Sequence, residues 1–340
     1  MSDDLMAPNE RPDQIGREAV ERDLRGAIAG GGFSHGWIIA GPKGAGKATL
    51  AYRIARAMLD PAALMNEHSF DMLPEARTFR LIAQRAHPDV FIAERAWNEK
   101  TSRYQSDITV ETIRKLTQFL NRTAALGGYR VAIIDSADDL NRNAANALLK
   151  ALEEPPADTL LLLLSAAPGR LIATIRSRCR RIDLRGLEDT EIVTLLERED
   201  LAEGEEADRI AAHAGGRPGY AMMLAAGEGA GAIALADGFV AAARKGGEIT
   251  RVTSALAGRA GDAKWEIFKA TVLQSLSDGA RAAACGATLE GPLAGAAAAS
   301  LLSAHEQLTT LAERGDALNL DRGQLIAAMA YDLRAALATS

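Results

Sequence analysis

Residues 37–47, WIIAGPKGAGK, decide the fold class of this chain. A short apolar run of strand type leads into a glycine-rich turn, and the residues after the turn place apolar side chains on one helical face. The turn matches the pattern G-x-x-x-x-G-K. In that pattern the glycines let backbone N–H groups point around phosphate oxygens, the helix N-terminus adds positive charge, and the lysine reaches the outer phosphates. The stretch therefore predicts a phosphate-binding loop between a strand and a helix.

Further apolar strands follow along the chain. The clearest are residues 130–135, RVAIID, and residues 160–165, LLLLLS, and helical periodicity lies between them. Near-continuous apolar runs are typical of parallel strands covered on both faces. Repeated strand–turn–helix units therefore predict an α/β domain in which helices flank a parallel sheet.

Strand signals fade after about residue 185, and the remaining pattern is helical. We predict a flexible tail over 1–14, the α/β domain over 15–185, a small helical domain over 186–235 and an all-helical domain over 236–340. In the last of these, Trp265, Phe268, Val272 and Leu276 share one face, and Leu325, Met329 and Leu333 share another.

Composition excludes several classes of protein. The net charge of −6 argues against a chain that coats nucleic acid by bulk electrostatics, so any DNA contact must be local or belong to a partner. Two cysteines, Cys179 and Cys285, exclude a four-cysteine zinc module and a disulfide scaffold. The polar N-terminus is unlike a signal peptide, and the most apolar stretch, 160–167, is too short to cross a bilayer. We expect a cytoplasmic protein that has no membrane contact and binds no zinc.

Two positions argue against ATP hydrolysis by this chain. The full phosphate-loop motif ends in a Ser or Thr that binds Mg²⁺, and here that position is Ala48. Thr49 lies about 100° further around the helix and should not reach the same metal. At the end of the second nucleotide strand Asp135 is present, but Ser136 stands where hydrolysing enzymes carry a Glu. Asp138 and Asp139, which lie beyond that strand, are interpreted as solvated loop residues rather than replacements.

Several further segments carry a family resemblance. The segments NALLKALEEPP (146–156) and RSRCRR (176–181), with the loop at 41–47, resemble bacterial sliding-clamp loader subunits of the AAA+ class. Shorter matches are SHGW (34–37), HPD (87–89) and APGRL (167–171). The resemblance is strong over 14–185, moderate over 186–235, and limited to helical character beyond. It implies that 15–185 is an AAA+ domain, 186–235 its lid, and 236–340 part of an oligomerisation collar.

The resemblance also gives Arg178 a role. In such loaders the Ser-Arg-Cys motif places an arginine against ATP held by the neighbouring subunit, so Arg178 would be an arginine finger acting in trans. A guanidinium stays charged and can neutralise the charge that develops on the γ-phosphate. On charge alone, the run at 176–181 is more simply a solvated basic face.

Departures from the family bear on the same question. Many relatives carry four zinc-binding cysteines after the phosphate-loop helix, and residues 60–90 contain none. The lid reads Gly215-Gly216-Arg217-Pro218, so Pro218 stands where motor subunits carry the sensor arginine. Ser165 occupies the position of the family's first polar sensor, although a strand-end cap is an equal interpretation.

The leading hypothesis is a clamp-loader subunit of DNA polymerase III that does not hydrolyse ATP itself. Its partners would be the motor subunits and the clamp-opening subunit, with the sliding clamp contacted indirectly and primer–template DNA through the assembly. The alternatives are an active AAA+ motor subunit and, more weakly, a stand-alone DNA-binding module. A weak or vestigial ATP or ADP site is expected at Gly41, Pro42, Lys43, Gly44, Ala45, Gly46, Lys47, Ala48 and Asp135.

Overall fold

The chain forms two compact units. The computed structural model describes residues 5–30, 33–98, 103–226, 229–245, 249–257, 262–289, 291–318 and 320–338. The first unit comprises the described residues up to Leu195 together with Gly215–Tyr220. The second comprises Leu196–Ala214 and the described residues from Ala221 onward. The predicted boundaries at 185/186 and 235/236 remain predictions.

A five-stranded parallel sheet is the centre of the first unit. Its strands are β1 (Gly36–Ala40), β2 (Val90–Glu94), β5 (Arg130–Asp135), β6 (Thr159–Ser165) and β7 (Arg180–Asp183), in the spatial order β2-β5-β6-β1-β7. Two short strands, β3 (Trp97–Asn98) and β4 (Arg103–Tyr104), form a separate antiparallel pair. The predicted parallel sheet is confirmed, and all its strands end at the edge that carries the glycine-rich turn.

Helices cover both faces of the sheet. One face packs against α1 (Glu18–Ala29), α2 (Lys47–Leu59) and α3 (Arg77–Ala83), and the other against α4 (Val110–Leu120), α5 (Arg142–Glu153) and α6 (Ala173–Arg176). Side chains alternate between the faces, so that Ile39 joins the first core and Ile38 the second. Because both faces are covered, every strand residue of β1 and β6 is buried.

The N-terminal segment packs against the first unit instead of forming a tail. Arg53 and Arg56 lie in the interior of α2, where a buried cation needs acceptors. Arg56 donates to the carbonyls of Asn9 (2.5 Å) and Arg11 (2.6 Å), and Arg53 donates to the carbonyl of Pro12. The predicted flexible tail over 1–14 is therefore wrong for residues 9–12, while residues 1–4 lie outside the described part.

The second unit is helical, as predicted for the C-terminal region. Its core packs Phe268 against Phe239 and Trp265, with ring centroids 5.3 and 5.8 Å apart. The two predicted apolar faces of this region are buried. Two helices, Asp189–Arg198 and Pro218–Ala225, begin in the first unit. The helices of this region are α7 (Asp189–Arg198), α8 (Gly204–Ala214), α9 (Pro218–Ala225), α10 (Gly229–Lys245), α11 (Thr250–Ala255), α12 (Asp262–Ala284), α13 (Ala298–Leu318) and α14 (Arg322–Ala338).

The length and hydropathy of the described helices bear on whether the chain could cross a membrane. None of them alone is both long enough and apolar enough to cross a bilayer, and one bent pair, Pro218–Ala225 with Gly229–Arg244, reaches that length and composition only when the two are joined.

Candidate functional site

The glycine-rich turn has the geometry of a phosphate-binding loop. It runs from Gly41 to Gly46, between the end of β1 and the first residue of α2. Gly44 and Gly46 both have φ of 87°, in the left-handed region that side chains rarely adopt. A Cβ at Gly46 would lie 2.3 Å from Nε2 of Gln14 and would displace that side chain from its contact with the loop.

Lys47 is folded back onto the loop that precedes it. Its Nζ donates to the carbonyl of Gly41 at 2.7 Å and to that of Pro42 at 2.9 Å. Burial lowers the pKa of Lys47, against an opposing contribution from the Asp135 carboxylate. Lys43, by contrast, is exposed to solvent. The two lysines therefore bring positive charge to the N-terminus of α2, where an anion would be held.

Two side chains from the N-terminal segment contact the loop, and neither was identified from the sequence. Gln14 Nε2 donates to the carbonyl of Gly46 at 2.9 Å. Arg17 Nη2 donates to the carbonyl of Ala45 at 3.1 Å, and burial lowers the pKa of Arg17. A side chain that binds a distant main-chain oxygen has no signature in periodicity or motif, so the sequence gives no signal for either contact.

The start of α9 also contacts the loop. The N–H of Gly219 donates to the carbonyl of Gly44 at 2.8 Å, and a Cβ on Gly219 would lie 3.2 Å from that oxygen. The Arg217 guanidinium lies 4.3 Å from the centroid of the Tyr220 ring. Arg217, the residue beside the predicted sensor position, is therefore placed against an aromatic ring of its own segment.

The positions that would bind Mg²⁺ in a hydrolytic site supply few ligands here. Ala48 supplies no hydroxyl, and the neighbouring Thr49 is buried in the helix interior, so it does not replace that ligand. Asp135 lies at the end of β5 and is open to solvent at the surface. Partial loss of hydration and the negative charge of Glu94 raise the pKa of Asp135, although the positive charge of Lys47 opposes this. Asp135 alone is a weak Mg²⁺ site, because hard cations need several oxygen ligands.

Asp138 is a structural acceptor rather than a solvated loop residue, so that interpretation is wrong. Its carboxylate accepts hydrogen bonds from the Ser136 hydroxyl (3.1 Å), the Ser165 hydroxyl (2.6 Å) and the N–H groups of Ala166 (2.5 Å) and Ala167 (3.3 Å). Despite partial burial, these donors lower the pKa of Asp138. Ser136 and Ser165 are thereby both used to tie the end of β5 to the end of β6.

Arg178 lies between α6 and β7 and has an acidic partner within its own chain. Its Nη2 is 2.8 Å from Oε1 of Glu153, and the arginine side chain is 35% exposed. Nη1 donates to the carbonyl of Thr174 at 3.1 Å and to the Ser177 hydroxyl at 3.3 Å. An exposed ion pair of this kind contributes about 0–1 kcal/mol, so the guanidinium can exchange Glu153 for another anion.

Arg178 and the loop lie at opposite ends of strand β1. The carbonyl of Arg178 lies beside Gly36, the first residue of β1, whereas the loop begins after Ala40, the last residue of that strand. Four strand steps of about 3.3 Å place the two ends about 13 Å apart. The structure therefore does not bring Arg178 together with the other predicted site residues.

A shallow groove of about 450 Å³ lies between α4 and α5 in the same unit. It carries two cations, Arg114 and Lys150, that make no ion pair with any described residue. No motif or spacing in the sequence indicates this groove, because its residues come from two helices that only the fold brings together. The groove is lined by Arg114, Thr117, Gln118, Asn121, Ala147 and Lys150.

The described ranges contain no group of three or more His, Cys, Asp or Glu side chains arranged to hold a metal ion. Of the two cysteines, Cys179 is partly buried, which raises the pKa of its thiol to about 11, and Cys285 is exposed.

Comparison with known proteins gives consistent matches. The family model described as "DNA polymerase III, delta subunit" matches residues 16–188, just over half of the chain. The chain is 42% identical to DNA polymerase III subunit delta' of Pseudomonas aeruginosa over 43% of this chain and 42% of that protein. It is 32% identical to subunit delta' of Escherichia coli over 57% and 55%, and 30% identical to subunit tau of Bacillus subtilis over 56% and 31%. The matched region spans about half the length of these delta' relatives.

Proposed function

The chain belongs to the DNA polymerase III delta-subunit family, and from this premise we propose that it is a delta-prime-like subunit of the clamp loader. In this role it helps to load the sliding clamp onto primed DNA, and it contributes an arginine to a neighbour's ATP instead of hydrolysing ATP itself. The observation that carries the proposal is the position of Arg178. It lies beside the first residue of β1, about 13 Å from the loop at the other end of that strand.

The residues around the loop support the non-hydrolysing part of the proposal. Ala48 offers no metal ligand, and Ser136 has no carboxylate with which to orient water. Asp138, a further carboxylate just beyond β5, is occupied by four hydrogen-bond donors. These features favour the proposal over the alternative of an active tau- or gamma-like motor subunit, which is supported by Gly46, Lys47 and Asp135.

The loop itself fits the phosphates of a nucleotide. A bound ATP or ADP would supply an anionic ligand to the N-terminus of α2, where Gly44, Gly46 and Lys47 would hold it. Lys47 would have to release the carbonyls of Gly41 and Pro42, to which it now donates. We propose that this site is weak or vestigial and does not turn over substrate.

The partners follow from the same proposal. They are the motor subunits and the clamp-opening subunit, and the chain acts in the cytoplasm. The helical region over 236–340 is proposed as its part of the oligomerisation collar, with the lid over 186–235. Exposed apolar side chains of this region, Leu302 on α13 and Tyr331 on α14, are available for contacts between subunits.

We also propose that the α4–α5 groove contacts DNA phosphates directly. Arg114 and Lys150 are exposed cations without acidic partners in the described chain, and an anion would find both in one groove. A local contact of this kind is compatible with the net charge of −6, since most of the surface would not take part.

The first expected result concerns assembly. The full chain, mixed with the motor and clamp-opening subunits, should elute from gel filtration in one complex. Leu302→Asp and Tyr331→Asp should abolish that complex, because a charge replaces an apolar contact, while Leu126→Asp, an exposed site of the first unit, should leave it intact. A wild-type chain that elutes alone would contradict the proposed function, and Leu302→Asp and Tyr331→Asp variants that assemble normally would contradict the collar.

The second expected result concerns the groove. Arg114→Ala and Lys150→Ala should each weaken binding of the assembled loader to primed DNA irrespective of base sequence. Each should also reduce the slope of log affinity against log salt by about 1, since one phosphate contact is lost. Lys115→Ala is the matched control, because Lys115 is exposed on α4 outside the groove. Fluorescence anisotropy over a salt series measures these slopes, and equal losses for Arg114→Ala and Lys115→Ala would contradict the assignment.

A further inference from the structure

The hairpin between β2 and α4 exposes two aromatic rings. Trp97 is 53% exposed and Tyr104 is 62% exposed, although the other two tryptophans, Trp37 and Trp265, are buried. The two residues are directly opposite in the antiparallel pair, with ring centroids 5.0 Å apart at 75°. A cross-strand aromatic pair stabilises a hairpin, but that role does not require most of both rings to remain in water. The open ring surface is therefore available to a ligand.

The hairpin is fixed at both ends to one residue, Asp139. The Arg95 guanidinium, just before the hairpin, lies 3.2 Å from the Asp139 carboxylate. The N–H of Ile108, just after the hairpin, donates to the Asp139 carbonyl at 2.7 Å. Asp139 lies a few residues before α5, the helix that forms one wall of the groove. Both ends of the hairpin are therefore joined to the segment just before α5.

The chain runs from this hairpin into α4, which carries Arg114, one cation of the groove. Six extended steps from Tyr104 to Val110 span at most about 20 Å, and four helical steps to Arg114 add about 6 Å. Arg95, two residues before Trp97, pairs with Asp139 and keeps 44% of its side chain exposed. Exposed aromatic rings on a segment that also carries an exposed arginine match the chemistry of single-stranded nucleic acid, where bases stack on rings while phosphates contact basic side chains.

We propose that Trp97 and Tyr104 form a stacking platform for the bases of single-stranded DNA, on the segment of chain that leads into α4. The inference rests on the proposed function, because it takes primed DNA with a single-stranded template overhang as the ligand. Stacking tolerates any base, so the platform recognises unpaired bases rather than a sequence. Duplex DNA, whose bases are already stacked, does not engage it.

The test uses the full chain in two settings. In the first, the chain alone is titrated with oligodeoxythymidylate, and stacking on Trp97 should quench its emission. In the second, the reconstituted loader is titrated with primed DNA that carries an overhang and with a blunt duplex. Trp97→Ala and Tyr104→Ala should each weaken overhang binding about fivefold or more, as expected for the loss of one stacked base. Affinity for the blunt duplex should be unchanged.

Two controls decide the interpretation. Trp97→Phe keeps a ring and should bind the overhang within about twofold of wild type, and Leu73→Ala removes an unrelated side chain that is also 53% exposed. Overhang affinity that is unchanged in Trp97→Ala and Tyr104→Ala, or duplex affinity that falls equally, would overturn the inference. It would also be overturned if Trp97→Ala folded normally but no longer joined the complex, because the hairpin would then bind protein. A wild-type chain that is quenched by the oligonucleotide but never assembles would contradict the proposed function instead, and would support the platform.

Discussion

Replacing Arg178 by Ala should slow ATP hydrolysis by about a thousandfold or more at the one motor site that this chain faces. The charge that develops on the γ-phosphate loses its only positive partner from this subunit. Other motor sites of the loader should be unaffected. Single-turnover phosphate release should therefore lose the fast-phase amplitude of one site and keep the remainder.

The structure explains why Arg178 can serve a neighbour. The guanidinium is 35% exposed, and its ion pair with Glu153 is of the weak surface type. An ATP phosphate carries more charge than one carboxylate, so the arginine should transfer from Glu153 to the phosphate when the subunits meet. No large rearrangement of the sheet is needed.

Matched variants separate this role from a general effect of charge. Arg176→Ala removes an exposed arginine from the same basic run and should leave the fast phase intact. Arg178→Lys keeps the charge but loses the planar fork that binds two oxygens, so it should recover only part of the rate. Equal losses for Arg176→Ala and Arg178→Ala would support the solvated basic face and contradict the finger.

The second large effect concerns stability. Glu21→Gln should lower the free energy of unfolding of the first unit by about 3 kcal/mol, because it leaves the buried guanidinium of Arg53 with only the partly exposed Asp71 as a charge partner. Arg53 is 1% exposed and is held by both oxygens of Glu21, at 2.6 and 2.7 Å, and by Asp71 at 2.7 Å. Oε2 of Glu21 also accepts the N–H of Phe70 at 3.0 Å.

Denaturant unfolding of the full chain measures this effect. The transition of the first unit should move to lower denaturant in Glu21→Gln, while that of the helical unit should not move. Asp23→Asn, a charge removal at an exposed position of the same helix, should shift neither transition by more than about 0.5 kcal/mol. If Glu21→Gln shifted the first transition as little as Asp23→Asn, the buried pair would not be a main source of stability.

This pair also matters for the loop, because it joins α1 to α2. Helix α2 begins at Lys47, and its N-terminus is the end that would hold phosphate. Arg53 and Arg56 further bind the main chain of the N-terminal segment, whose next residues include Gln14 and Arg17. Helices α1 and α2 and the N-terminal segment therefore fix the position of the loop.

Sequence reasoning was effective where the signal is periodic. Continuous apolar runs at 37–40, 130–134 and 160–164 predicted buried parallel strands, and all three are strands of the sheet. The glycine-rich pattern placed the loop between β1 and α2. The position of Asp135 at the end of its strand is likewise as predicted. These features depend on near neighbours along the chain.

The contacts that the sequence did not reveal are mostly long-range and polar. Asp138 was interpreted as solvated, but it lies where the ends of two strands meet and accepts hydrogen bonds from both. The N-terminal segment has a polar composition that suggests a tail, but its carbonyls accept hydrogen bonds from Arg53 and Arg56 and its own side chains bind main-chain oxygens. Arg114 and Lys150 come together only when α4 packs on α5. None of these follows from composition or spacing.

The most direct test of the central claim is ATP hydrolysis by the reconstituted loader in which this chain carries Lys47→Ala. If the chain contributes Arg178 and hydrolyses nothing, removal of the loop lysine should leave the DNA- and clamp-stimulated rate close to that of wild type, while Arg178→Ala in the same assay removes the fast phase of one site. A loss from Lys47→Ala as large as that from Arg178→Ala would contradict the account, because the chain's own nucleotide site would then take part in turnover despite Ala48 and Ser136.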